Sequence, residues 1–176
     1  MSLDLSATHF ELFGLPPRFD LDLDALDRAY RAIQTEIHPD RFAEAGDAAQ
    51  RQAVQWAAHA NAAYATLKRP FERACYLLQG QGIDPLDPRD TRLPHDFLVK
   101  QMAWRETLAE AVAAHDAAAL DRLEAETRAE ARAALTELAA LIDERQDYPG
   151  AAGAVRKYRF LEKFLADLGE AHEQID

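Results

Sequence analysis

A single cysteine, Cys75, stands in this chain of 176 residues. It excludes an internal disulfide and a metal or cluster site built from the chain's own thiolates. On an apolar helix face it reads as a small buried side chain. No apolar run approaches the ~20 residues that a membrane-spanning helix needs. The opening Met1-Ser2-Leu3-Asp4-Leu5 has no basic stretch, no apolar stretch and no arginine, so no targeting segment is expected and a cytoplasmic location is. Basic charge is scarce as well: 20 Lys and Arg face 31 Asp and Glu, for a net charge of −11. Nucleic acid and anionic membrane surfaces call for a basic patch, so neither is an expected partner. Strand-type alternation is nearly absent. Alanine and leucine are abundant, and at 48% hydrophobic the chain is too apolar for disorder. The expected fold class is all-α.

Catalytic patterns are missing too. The six histidines (His9, His38, His59, His95, His115 and His172) form no HExxH or Glu-x-x-His pair. No phosphate loop or nucleophile elbow is present. His59 and His172 are expected on helix surfaces. The carboxylates are spread along solvated faces, so the chain is not expected to be an enzyme, and no cofactor or metal is expected.

What is present is helical punctuation. Leu23, Leu26, Tyr30, Ile33 and Ile37 recur at steps of three and four, one face of a helix. Asp20 and Asp22 precede it as candidate caps. Pro39 ends it, and His38-Pro39-Asp40 sets an imidazole and a carboxylate side by side on a stiff corner. Ahead of it, Phe10 to Gly14 reads as a short helix closed by the glycine. After it, a helix is expected from about Ala48 to Lys68, with Val54, Ala57, Asn61, Tyr64 and Leu67 on one face. Pro70 ends that helix, and Phe71 to Leu78 forms a fourth. The two long helices pair as an antiparallel hairpin with the His-Pro-Asp corner at its tip.

A His-Pro-Asp corner held by two helices resembles the J-domain, the module that engages Hsp70 chaperones. Longer strings narrow the resemblance. Phe13-Gly14-Leu15-Pro16, His38-Pro39-Asp40-Arg41-Phe42, Asn61-Ala62-Ala63-Tyr64-Ala65-Thr66-Leu67 and Arg73-Ala74-Cys75-Tyr76-Leu77-Leu78 lie in this order. Phe97-Leu98 and Val155-Arg156-Lys157-Tyr158-Arg159-Phe160-Leu161 follow. Together they resemble the HscB family, J-type co-chaperones of iron–sulfur cluster assembly, over nearly the whole chain.

The only stretch dense in glycine, proline and aspartate runs from Gly80 to Asp90. It reads as a linker or a tight connection, and divides the chain into a J-like domain over 1–80, a linker over 81–94 and a second domain over 95–176. That second domain carries three helical stripes. The first is Phe97, Gln101, Trp104, Leu108 and Val112. The second is Leu120, Leu123, Thr127, Ala131, Leu135, Leu138 and Ile142. The third is Val155, Tyr158, Leu161, Leu165, Leu168 and Ile175. A three-helix bundle buries them against one another. Thr127 is the polar member, its hydroxyl bonding back to the preceding turn. His115-Asp116 and Tyr148-Pro149-Gly150 mark the turns.

Some apolar residues fall outside these stripes. Val99 and Met102 lie opposite the Phe97–Trp104 face, Leu98 lies to one side, and Phe160 and Phe164 lie off the third stripe. Glu106 and Glu110 border the first group. Two readings stand side by side: a partner site, or residues covered by the J-like part or by wide helix faces.

The resemblance implies specific roles. His38, Pro39 and Asp40 would touch a dedicated, HscA-like Hsp70, with Asp40 pairing with an arginine there. Arg28, Arg31 and Arg41 would add attraction, although for Arg28 and Arg31 a plain solvated face is an equal alternative. Ala29 and Thr35 stand where relatives often have a basic residue, and Asp27 and Glu36 dilute the patch, so weak and only mildly salt-sensitive binding is expected. Leu98, Val99, Met102, Glu106, Glu110 and Phe160 match the family's positions for binding the IscU-like cluster scaffold, with Ala103 where relatives often carry an acid. The expected protein is a monomeric regulator of a partner ATPase. A J-protein with another client, and a helical adaptor with no Hsp70 partner, are the rival readings.

Overall fold

The computed structural model describes residues 7–37 and 46–175. Among these every regular element is a helix. The packing divides into two units, one ending at Leu77 and one starting at Leu78.

The first unit opens with α1 (His9–Leu12), a single turn that survives because both ends are closed. The Thr8 hydroxyl accepts from the Glu11 N–H, and the Glu11 carboxylate accepts from the Thr8 N–H at 2.8 Å. At the other end Gly14 takes a φ of 63°, and Leu15 N–H returns to the Phe10 carbonyl at 2.9 Å. α2 (Leu23–Ile37) is capped by Asp22, whose carboxylate accepts from Ala25 N–H at 2.9 Å. α3 (Asp47–Lys68) pairs with it. Tyr30 bonds Asn61, while Asp27, earlier in α2, bonds Tyr64 and Lys68, later in α3. The descending order makes the pair antiparallel.

The core between them follows the expected stripe on α2, where Leu26, Ile33 and Ile37 are buried. On α3 the stripe keeps Leu67, with Ala57 and Tyr64 partly buried against the core, but its centre is displaced by one residue. Ala53, Trp56, Ala60, Ala63 and Leu67 face inward, and Val54 is 60% exposed. The reason is Trp56: its large ring takes the central place, and alanines on either side let the helices approach. The residue after α3, Arg69, is extended because Pro70 follows, and Pro70 opens α4 (Pro70–Gly80). Arg73 is buried to 6% exposure. It donates to the carbonyls of Phe19 at 2.8 Å and Leu67 at 2.5 Å, and its guanidinium lies over the Phe19 ring. One side chain thus joins α4, the end of α3 and the loop before α2. Cys75 is buried.

The second unit is a bundle of α5 (His95–Ala114), α6 (Ala117–Ala139) and α7 (Tyr148–Ile175). His115, left-handed at φ 52°, ends α5, and Asp116 caps α6 through Ala119 N–H at 2.9 Å. α6 ends in a π-turn over Ala140–Glu144, where Arg145 N–H reaches back five residues to the Ala140 carbonyl. The chain then reverses, and Asp147 accepts from Gly150 N–H at 3.0 Å. Tyr148-Pro149-Gly150 is therefore the first turn of α7 and not the connection itself. Leu120, Leu123, Leu138, Val155, Leu161 and Leu168 fill the core, and Ala134 takes the inward place expected of Leu135. The Thr127 hydroxyl bonds the Leu123 carbonyl at 2.8 Å, which is how a fully buried threonine is tolerated.

The segment over 81–94 is packed on the second unit. Arg156 of α7 donates to the carbonyls of Pro85 and Arg92 and pairs with Asp90 at 3.4 Å. Pro85 is fully buried. Side-chain turns at Asp84, Asp87 and Asp90 shape the loop. A proline- and aspartate-rich composition marks a turn-rich path as readily as a free linker, and here the guanidinium holds that path down.

Candidate partner-binding sites

His38, Pro39, Asp40 and Arg41 lie outside the described residues. The structure places what leads into them: α2 runs to Ile37, whose side chain is anchored in the core. Arg28 and Arg31 are exposed on α2. Arg28 reaches Asp22 only at 4.0 Å, with both side chains largely in solvent, so its charge is available. Asp27 dilutes this face less than its sequence position suggests. It is bound by Lys68 at 2.6 Å and by the Tyr64 hydroxyl, and these hydrogen bonds hold its carboxyl below the usual range. Tyr30 and Tyr64 stack at 4.0 Å beside it. The carboxylate is thus committed to the joint between α2 and α3.

The second candidate surface sits on α5. Leu98, Val99 and Met102 are 42%, 55% and 73% exposed, so the bundle's own core does not take them up. Glu106 and Glu110 are exposed on the next turns, as is Ala103. They stay in solvent because Phe97, Trp104 and Ala111 hold the opposite face of α5 in the core. Phe160 is half-buried. Its ring stands edge-on to Phe97 at 5.6 Å and stacks on Phe164 at 5.8 Å. Phe164 in turn stacks on Trp104 at 5.6 Å and is 1% exposed. Phe164, placed off the third stripe by its spacing, is therefore core. Only Phe160 of the two reaches the surface, because α7 presents a wide apolar face with Phe160 at its rim.

One residue of this surface escapes sequence reasoning. Arg105 lays its guanidinium over the Phe160 ring, 5.6 Å from the centroid. Nothing in the α5 pattern shows that a ring from α7 lies beneath it. Lys100, Glu130 and Lys157 join all three helices of the bundle: Glu130 bonds Lys100 at 2.7 Å and Lys157 at 2.6 Å. Those two hydrogen bonds hold the Glu130 carboxyl below its ordinary value.

His172 is half-buried and not a plain surface residue. Its Nε2 lies 3.4 Å from Glu124 and 3.7 Å from Asp121. These three are the grouping of metal-ligand type among the described residues. They bring the start of α6 beside the end of α7, with Arg128 bonding the other oxygen of Glu124. No helix among the described residues is long and apolar enough to cross a membrane.

A short helix, an antiparallel helical hairpin and a fourth helix, followed by a three-helix bundle, define an all-α protein of J-domain-plus-bundle architecture. Residues 93–169 match the family model described as the HSCB C-terminal oligomerisation domain. The chain is 48% identical over 174 residues to a co-chaperone protein HscB homolog of Burkholderia mallei, covering 99% of each. It is 46% identical to the corresponding homolog of Paraburkholderia phymatum, covering 98% of each. Its fold matches chaperone HscB from Vibrio cholerae with a TM-score of 0.82 and 39% identity, covering 97% of this chain and 100% of that one. It matches human co-chaperone protein HscB with a TM-score of 0.84 and 25% identity, covering 95% and 83%. The chain belongs to the HscB family of co-chaperones.

Proposed function

We propose that this protein binds an iron–sulfur cluster scaffold of the IscU type on its bundle and delivers it to a dedicated, HscA-like Hsp70, whose ATPase it stimulates through the J-domain. It does no covalent chemistry of its own and works as a soluble, cytoplasmic regulator. Its effect on the Hsp70 comes from differential contact with that partner's states.

The observation that carries the reading is the outer face of α5. Three large apolar side chains are exposed there beside a half-buried phenylalanine and two carboxylates, on a helix whose other face is fixed in the core. Soluble domains rarely keep such a cluster in water without a partner for it. His38, Pro39, Asp40 and Arg41, with Arg28 and Arg31, form the Hsp70 contact in this reading. Leu98, Val99, Met102, Glu106, Glu110 and Phe160 form the scaffold contact. Holding both partners on one chain raises their effective concentration, so stimulation is greatest with both present.

The test is steady-state ATP hydrolysis by the Hsp70 with this protein, with and without scaffold. The native protein accelerates hydrolysis and synergises with scaffold. His38→Gln loses all stimulation while its circular dichroism is unchanged. Val99→Ala combined with Met102→Ala loses only the synergy. Stimulation by the native protein without synergy would leave the J-domain and remove the scaffold. A steep loss of Hsp70 binding with added salt would contradict the weak basic contact expected of Arg28, Arg31 and Arg41.

The description of the matching model as an oligomerisation domain supports a second reading of the α5 face: self-association. Light scattering after gel filtration separates the two. A monomer at micromolar concentration keeps the face for the scaffold, and a dimer lost on Met102→Glu assigns it to a second copy.

A further inference from the structure

We infer that Arg105 is a specificity-determining residue of the α5 face, reading a carboxylate on the scaffold that docks there; this rests on the scaffold reading above. Arg105 follows Met102 by three residues and Leu98 by seven, so it continues their side of the helix. Its guanidinium lies on the Phe160 ring, and Phe160 is itself seated against Phe97 and Phe164. A guanidinium held over a seated ring gives up part of its rotamer freedom before a partner arrives, and the exposed side chain keeps its planar edge of N–H donors accessible. Such an edge matches a carboxylate in a two-point contact.

That edge has work still to do. Among the described residues no ion pair to Arg105 is found, although Glu106 is its chain neighbour and Glu110 lies on the next turn. The two carboxylates call for basic groups on the partner; Arg105 calls for an acidic one between them and the apolar patch. An apolar anchor alone would accept many clients. A cation over Phe160, with anions beyond it, rejects any surface whose charges are in the reverse order.

Binding of purified scaffold by isothermal titration or surface plasmon resonance tests this. Arg105→Ala is expected to weaken binding roughly tenfold, and Arg105→Glu roughly a hundredfold. Arg105→Lys keeps the charge but loses the fork and falls between native and alanine. The salt dependence of binding becomes shallower in Arg105→Ala. Reversal of one scaffold Asp or Glu to Lys restores binding to Arg105→Glu, which a merely structural role of Arg105 would not allow. Thermal melts of all three variants match the native protein.

The failures are separable. If the native protein does not bind scaffold, the scaffold reading and this inference fall together. If the native protein binds, Val99→Ala with Met102→Ala loses binding, and Arg105→Glu binds as the native protein does, only the inference falls. Weak binding by Arg105→Glu with no charge-reversal rescue at any acidic scaffold residue also overturns it.

Discussion

The two units keep their helices together by different means, and the difference bears on how each meets a partner. In the first unit, polar side chains reach across the joints: Arg73 to two carbonyls, Asp27 to Tyr64 and Lys68, and Tyr76, whose hydroxyl accepts from the His9 N–H at 3.0 Å. In the second, leucines and an aromatic ladder of Trp104, Phe164, Phe160 and Phe97 fill the space, with Glu130 as a polar tie among the three helices. The short α1 and α4 bury little apolar surface each and need directional bonds to set their positions. Long helices bury continuous stripes and can spare a face. The α5 face is spared in that sense: its apolar residues are free for a partner because the core does not need them.

The largest effect that would sharpen this contrast is in the aromatic ladder. Phe164→Ala should destabilise the protein by about 3–5 kcal/mol, as other buried phenylalanines do. Met102→Ala on the same bundle should change stability by less than about 0.5 kcal/mol. Urea denaturation of the two variants checks this. A costly Met102→Ala would mean that the exposed face supports the fold.

Next comes Arg73→Met. It keeps the buried bulk but leaves the carbonyls of Phe19 and Leu67 without that donor, at a cost of about 2–4 kcal/mol. Thermal unfolding should show the loss, and the α5 face should still bind its partner. If the variant were as stable as the native protein, polar joints would not be what holds the first unit.

Glu130→Gln should be milder, about 1–2 kcal/mol, because an amide can still accept from one lysine. Since the two lysine bonds depress the Glu130 carboxyl, the stability it adds is complete above the carboxylate's unfolded value. It is lost as pH falls through the lower folded one. The variant should therefore lose less stability than the native protein on acidification.

The smallest expected effect is at His9. Burial, and then the neighbouring His59, lower its pKa from the ordinary 6.5. The folded protein therefore binds a proton less readily than the unfolded chain. Stability is complete above about pH 6.5 and declines as pH falls toward the folded value. Denaturation at about pH 7.5 and about pH 5.5 should show the decline, and His9→Gln should flatten it. An unchanged slope in the variant would take His9 out of the joint that it makes by stacking on Tyr76 at 4.1 Å.

Much of the helical layout was legible because period and punctuation are local properties. Leu26, Ile33 and Ile37 on α2, Thr127 on α6, and the stops at Gly14 and Pro70 could be read from spacing alone. The α3 stripe could not. Val54 and Trp56 both continue a helical pattern, and which of them turns inward depends on the space that α2 leaves. Phe164 was misplaced for a related reason: a wide apolar face hides its own centre. The 81–94 segment read as a linker or a tight connection, and its composition could not choose between them because it carries no sign of Arg156, a residue more than sixty positions away.

The sequence by itself determined that this chain is helical, that a helix of its first part leads up to the string His38-Pro39-Asp40, and that apolar residues remain on α5 once a core stripe is assigned. These follow from backbone sterics, hydrogen-bond supply and side-chain period, all of which act over a few residues. Tertiary structure alone decided that Phe160 lies at the rim and Phe164 in the core, that Arg105 rests on a ring from another helix, and that Arg156 anchors the loop before α5. Each is a meeting of residues distant in the chain. The shape of the space where helices pack sets such meetings, and no local pattern carries it.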